Sequence, residues 1–224
     1  MPKIPRVVPS VAYAAGIFAM VVLILFCGSP GATVARSYAA YNGQSVPNVE
    51  EKIYRDVNLP YDNTLSTVTA TEARKIQNGY VLFAFPACPF CRNLLPVLAD
   101  VARAENLPVA YCRIDTYRDR FVYSAEAAAP VQTQPAGEGY VELLTWLDGC
   151  LDEYTVLDES KTPIPVGEKR IHAPTLVKVR DGVPVSTWEL TDVFGENFPP
   201  DSFAAWDDAT QAQVAAALQS YLNT

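Results

Sequence analysis

The sequence predicts an α/β domain with a helical insertion, preceded by one N-terminal hydrophobic helix. Three observations carry this expectation. The apolar run 80–85 leads into Cys88-Pro89-Phe90-Cys91 and then into a helical pattern. Late in the chain, Arg180-Asp181-Gly182 sits between two apolar stretches as a hairpin turn. Residues 11–27 are apolar or small and carry no charge.

That uncharged run follows Lys3 and Arg6 and is broken by Gly28-Ser29-Pro30-Gly31. At about 17 residues, or about 21 counted from Val7, it lies at the lower edge of what spans a bilayer. The basic flank places the N-terminus inside and everything after the run outside. Two readings stay open: an uncleaved anchor, which fits the length better, and a signal peptide cut near Thr33-Val34-Ala35 or Ser37-Tyr38-Ala39. Either one exports the domain. Phe26 stands where lipidation of Cys27 needs a small residue. Residues 1–30 are therefore assigned to the anchor or signal, 31–60 to a linker and 61–224 to the domain, with an insertion at about 119–165.

The 224 residues suffice for one membrane segment and one domain with its own core. All 25 acidic residues lie beyond the apolar run, and the net charge is −8. An acidic exported part disfavours nucleic acid and anionic lipid surfaces as partners and suits a well-hydrated surface.

The chemistry concentrates at the strand–helix junction. Residues 89–106 read as a helix with Leu94, Leu95, Leu98 and Val101 on one face. Cys88 then falls at the N-cap and Pro89 at the first helical position, where its missing N–H costs nothing. Unpaired N–H groups and the helix dipole favour a thiolate there. A CxxC on such a turn can close into a disulfide and reopen. Half of a zinc site is a weaker alternative, because the other candidate ligands Cys112, Cys150 and His172 are widely spaced. A purely structural disulfide is disfavoured because the loop it closes is so short.

From about Thr64 to the C-terminus the chain resembles the thioredoxin superfamily. The strand at 80–85 leads into CxxC, and Pro96 lies five residues after the second cysteine, inside a helix where proline is otherwise costly, about 3 kcal/mol. Residues 107–115 look like the next parallel strand, and Ala173-Pro174-Thr175 looks like the family's cis-proline motif. Strands at 176–179 and 185–190 flank the Asp-Gly turn, and residues 209–223 carry Val214, Leu218, Tyr221 and Leu222 at helical spacing. The resemblance implies a mixed central sheet flanked by helices. Cys-Pro-Phe-Cys-Arg followed by Leu and Pro also resembles extracytoplasmic thioredoxin-like proteins of the bacteriocin transport accessory kind.

What the resemblance implies is an exported thiol–disulfide oxidoreductase acting on protein or peptide thiols and disulfides, with no cofactor, no metal and a membrane redox partner as a further candidate. Cys88 is the exposed reactive sulfur, Cys91 resolves the mixed disulfide, and the Ala173 backbone beside Pro174 pairs with an extended substrate segment. Ala87 replaces the family's tryptophan and Leu82 its buried acid. These departures favour oxidant or isomerase work over reductase work. The alternative is a non-catalytic accessory or binding module for secretion or transport. Thr175, His172 and Arg92 read as structural or solvated residues.

The insertion contains a loop rich in Ala, Pro, Gln and Gly (125–139) and then Val141, Leu144, Leu147, Leu151 and Tyr154 at spacings that predict an amphipathic helix over 140–157. It either shapes substrate choice or merely covers the sheet. Cys112 and Cys150 are candidates for a structural disulfide stapling that helix to the strand. Two buried free thiols, or a second redox pair, are the other readings.

Overall fold

The computed structural model describes residues 30–195 and 197–224. The predicted N-terminal hydrophobic helix lies outside them. In chain order the elements are helix α1 (Pro30–Ala39), strand β1 (Leu65–Val68), helix α2 (Ala70–Ala73), β2 (Gly79–Ala84), α3 (Pro89–Ala104) and β3 (Val109–Arg113). The inserted part holds β4 (Arg120–Ser124), β5 (Ala129–Gln134), α4 (Tyr140–Trp146), β6 (Glu153–Leu157) and β7 (Pro163–Lys169). The chain closes with β8 (Thr175–Arg180), β9 (Val183–Glu189), α5 (Thr191–Phe194) and α6 (Asp208–Leu222). Among the described residues no helix is long and apolar enough to cross a membrane.

The predicted α/β class and mixed sheet are present. Five strands run in the order β1-β3-β2-β8-β9, with β1, β3 and β2 parallel and the β2–β8 and β8–β9 pairs antiparallel. The central strand β2 is buried on both faces, which explains its unbroken apolar run. Alternation divides its side chains between two cores. Tyr80, Leu82 and Ala84 join Tyr38, Leu94, Leu95, Leu98, Tyr111, Val214 and Leu218 under α1, α3 and α6. Val81 and Phe83 join Cys112, Tyr140, Leu143, Leu147 and Val177 under α2 and α4. At the β8–β9 turn Asp181 and Gly182 both have positive φ, 51° and 77°, as a two-residue hairpin of this hand requires.

Three expectations are corrected here. Residues 31–60 are no tether: Ala32, Val34, Ala35, Tyr38, Val57 and Leu59 are buried in the domain. Their polar neighbours hid a short apolar stripe whose cover is far away in sequence. The predicted 140–157 helix stops at Trp146, passes through a 3-10 turn at Asp148–Cys150, and continues as β6 in a hairpin with β7. Gly149 and the β-branched pair Thr155-Val156 favour that switch. The 125–139 loop likewise contains β5, paired antiparallel with β4.

Candidate active site at the Cys88–Cys91 turn

Strand β2 ends at Ala84, and the turn that follows delivers Cys88 to the N-cap of α3 with extended backbone, φ −79° and ψ 119°. The Cys88 N–H donates to the Phe85 carbonyl at 3.2 Å. Its sulfur accepts the Cys91 N–H at 3.2 Å, doing for the helix end what a serine oxygen does elsewhere. The Cys88 thiol also reaches the Ala173 carbonyl at 3.4 Å. The Ala173–Pro174 peptide is cis, so the sequence-predicted Cys88, Cys91, Ala173 and Pro174 are brought together.

The two sulfurs differ electrostatically. Hydrogen bonding from Cys91 outweighs burial and lowers the Cys88 thiol below its ordinary pKa, with the Phe90 N–H and the Arg118 guanidinium helping. Burial pushes Cys91 well up, and its bond to Cys88 adds to that. Cys88 is therefore the thiolate-forming sulfur and Cys91 the protonated one. One expectation changes: Cys88 is only 5% exposed and so is not an open sulfur. The Ala173 backbone covers it on one side.

Beside this turn is a slot of about 190 Å³ lined by Phe90, Ala173, Pro174, Leu190 and Phe198, with His172, Glu189 and Thr191 at its polar side. Phe198 meets Phe90 edge-on at 5.5 Å and Phe194 at a tilt at 5.6 Å. Thr175 has a structural role, its hydroxyl donating to the Glu189 carboxylate at 2.6 Å and lying 3.1 Å from the His172 carbonyl. A larger cavity, about 760 Å³, lies between α4 and the β6–β7 hairpin and has neither cysteine in its lining.

Sequence reasoning missed several residues. Arg92, read as solvated, is fully buried. Its guanidinium donates to the carbonyls of Tyr38 (3.1 Å), Pro86 (3.0 Å) and Arg55 (3.0 Å) and to the Asn42 side chain. Asn93 donates to the carbonyls of Ser202 (3.2 Å) and Ala204 (2.9 Å) and accepts from Arg55. Thus the two residues after Cys91 tie residues 38–55 and the 202–204 loop to the reactive turn. Leu82 lies in the same buried cluster as Cys91, and in register with it on the neighbouring strand is Tyr111. The Tyr111 ring meets that of Tyr38 edge-on at 6.2 Å, and the two buried hydroxyls act on each other. A basic residue whose charge acts on Cys88, Arg118 over the Phe85 ring, is not marked by the sequence, since its place depends on the inserted segment.

Cys112 and Cys150 are free thiols. Cys112 lies on β3, whereas the Asp148–Cys150 turn packs against β9, three strands away in the sheet order. Three strand spacings, about 14 Å, exceed the reach of a disulfide. The expected staple is therefore absent. Burial pushes the Cys112 thiol up to about 12, marking it as an inert core residue. Comparison with family models, with curated proteins and with solved structures finds no match for this chain.

Proposed function

We propose that this chain is an extracytoplasmic thiol–disulfide oxidoreductase with a thioredoxin-like fold, held at the membrane by its N-terminal apolar segment, that exchanges disulfides with protein or peptide substrates. The observation that carries the reading is the Cys88 sulfur capping α3 at 3.2 Å from the Cys91 N–H while lying 3.4 Å from the Ala173 carbonyl. A sulfur so held is a good leaving group as a thiolate, and its partner lies one helical turn away. The strand order and the position of CxxC between β2 and α3 support the fold assignment.

In the oxidised protein a substrate thiolate attacks the Cys88 sulfur. The Cys88–Cys91 bond breaks, and Cys91 takes the electron pair and a proton. A second substrate thiolate then attacks the substrate sulfur of the mixed disulfide, and Cys88 leaves as a thiolate. The substrate gains a disulfide and the pair gains two electrons. In the reverse sense Cys91 attacks and resolves the mixed disulfide. The 190 Å³ slot beside Phe90 and Pro174 suits an apolar side chain of the bound segment. Leu82, in the same buried cluster as Cys91, offers no proton acceptor, which favours oxidant or isomerase work.

Cys91→Ser is the direct test. Mixed disulfides through Cys88 should accumulate in the exported fraction. Unchanged function in a Cys88→Ser, Cys91→Ser double variant would instead support a non-catalytic accessory role. Equilibration of the pair with glutathione fixes direction: a potential near thioredoxin's, about −270 mV, overturns the oxidant preference.

A further inference from the structure

Arg118 follows the 3-10 turn Ile114–Thr116, where the chain leaves β3 for the inserted hairpins. Its backbone is pinned there: the N–H donates to the Ile114 carbonyl at 3.1 Å, and its carbonyl accepts the Gln134 side-chain amide of β5 at 3.2 Å. The guanidinium lies over the Phe85 ring, 4.7 Å from its centroid. Phe85 is the residue whose carbonyl receives the Cys88 N–H, so the cation stands at the base of the reactive turn.

The other cations near the site are engaged elsewhere, Arg170 by the Tyr154 ring 4.0 Å from its guanidinium. Arg92 is saturated by carbonyls, and Arg113 forks onto Asp115 at 2.9 and 3.0 Å. Arg118 is half-buried, yet among the described residues its guanidinium makes no hydrogen bond and no ion pair. A partly dehydrated cation without an anion is costly unless a counter-charge forms nearby. Burial weighs on it most, and the charged or ionisable groups that act on it are Arg170, then Tyr140, Cys88 and Asp115. Arg170 repels it, Tyr140 is neutral at physiological pH, and Asp115 is already engaged by Arg113. Cys88 is the remaining group on the reactive turn that can supply the negative charge.

We infer that Arg118 is the built-in counter-charge of the Cys88 thiolate, a positioning residue contributed by the segment inserted after β3, and that it sets how oxidising the Cys88/Cys91 pair is. The inference rests on the oxidoreductase reading above. Reduction of the pair takes two electrons and one proton, leaving Cys88 as thiolate and Cys91 as thiol. Removing the cation makes that product less favourable and the disulfide form more so. The electrons come from the glutathione of the assay. The insertion thereby acts on the chemistry and does not merely cover the sheet.

The test compares wild type, Arg118→Gln, Arg118→Met and Arg118→Lys in the full chain. The readouts are the pH dependence of Cys88 alkylation, followed on its own peptide by mass spectrometry, and the equilibrium with glutathione. Gln and Met should raise the Cys88 midpoint by about one pH unit and strengthen the disulfide about tenfold, about 30 mV. Lys should restore most of both, because charge rather than hydrogen-bond geometry is the demand. Met keeps the apolar stem on Phe85 and serves if Gln does not fold. A Cys88 titration unchanged in folded Gln or Met variants overturns the inference, leaving Arg118 a packing residue. Wild type that never equilibrates with glutathione overturns the oxidoreductase reading instead, and the alkylation titration still reports on Arg118 alone.

Discussion

At Cys88 and Cys91 one helix end gives two thiols opposite tendencies, and both are measurable. Cys88, lowered by its hydrogen bond from Cys91, should be alkylated at half-maximal rate below pH 8.5, the ordinary thiol value. Cys91 and Cys112, both raised by burial, should resist at the same pH. Stability of the reduced protein follows with a definite sign. A buried thiol with a raised pKa keeps its proton where the unfolded chain has lost it, so its contribution is intact below about pH 8.5 and declines above. Cys88 works oppositely: its contribution is present above about pH 8.5 and fades as pH falls through its lowered value. Above about pH 8.5 the Cys88 contribution is already complete, so the raised thiols Cys91, Cys112 and Cys150 set the slope, and denaturant midpoints of the reduced form should fall there. A midpoint that rises there would contradict the assignment. Cys150, half-buried and unpaired, should tolerate Ser at a cost within about 1 kcal/mol by urea unfolding, because no disulfide is lost.

The elements meet at contacts that small changes should break. Helix α1 packs so closely on the chain before β1 that a β-carbon at Gly31 would stand 1.8 Å from the Asp62 carbonyl oxygen. That acceptor is backbone and cannot rotate away. Gly31→Ala should therefore destabilise by about 1–3 kcal/mol, although alanine is the better helix former. A neutral or stabilising result by thermal unfolding would show that α1 is not docked there. Arg92→Lys is a second test. A lysine keeps the charge but cannot reach four acceptors with one planar fork, so a loss of about 2–4 kcal/mol is expected, nearly that of Arg92→Ala. Because Arg92 and Asn93 directly follow Cys91, both variants should also loosen the reactive turn and alter the rate of disulfide exchange.

Across the whole molecule, the domain includes α1 and the stretch that reads as a spacer. Deleting residues 31–60 from the chain should leave Tyr111 and the buried Arg92 guanidinium without their partners and lower the unfolding midpoint sharply. A free tether would leave it unchanged. The sequence by itself determined whatever rests on local chemistry. The CxxC at a strand–helix junction, Pro89 inside the first turn, the doubly buried β2, the Asp-Gly hairpin and the amphipathic α6 each need only neighbours within a few residues, and periodicity or turn propensity records those. The tertiary structure alone decided what depends on distant partners. Tyr38 reaches the core because Arg92 holds its carbonyl 54 positions away. The 140–157 pattern fits a helix as well as a helix followed by a strand, and β7 resolves it by pairing with β6. Cys112 and Cys150 satisfy the arithmetic of a disulfide, but three intervening strand spacings forbid it. Arg118 looks like any surface arginine until the inserted hairpins lay it over Phe85. Side-chain type fixes which interactions are available, and only chain topology fixes which of them are within reach.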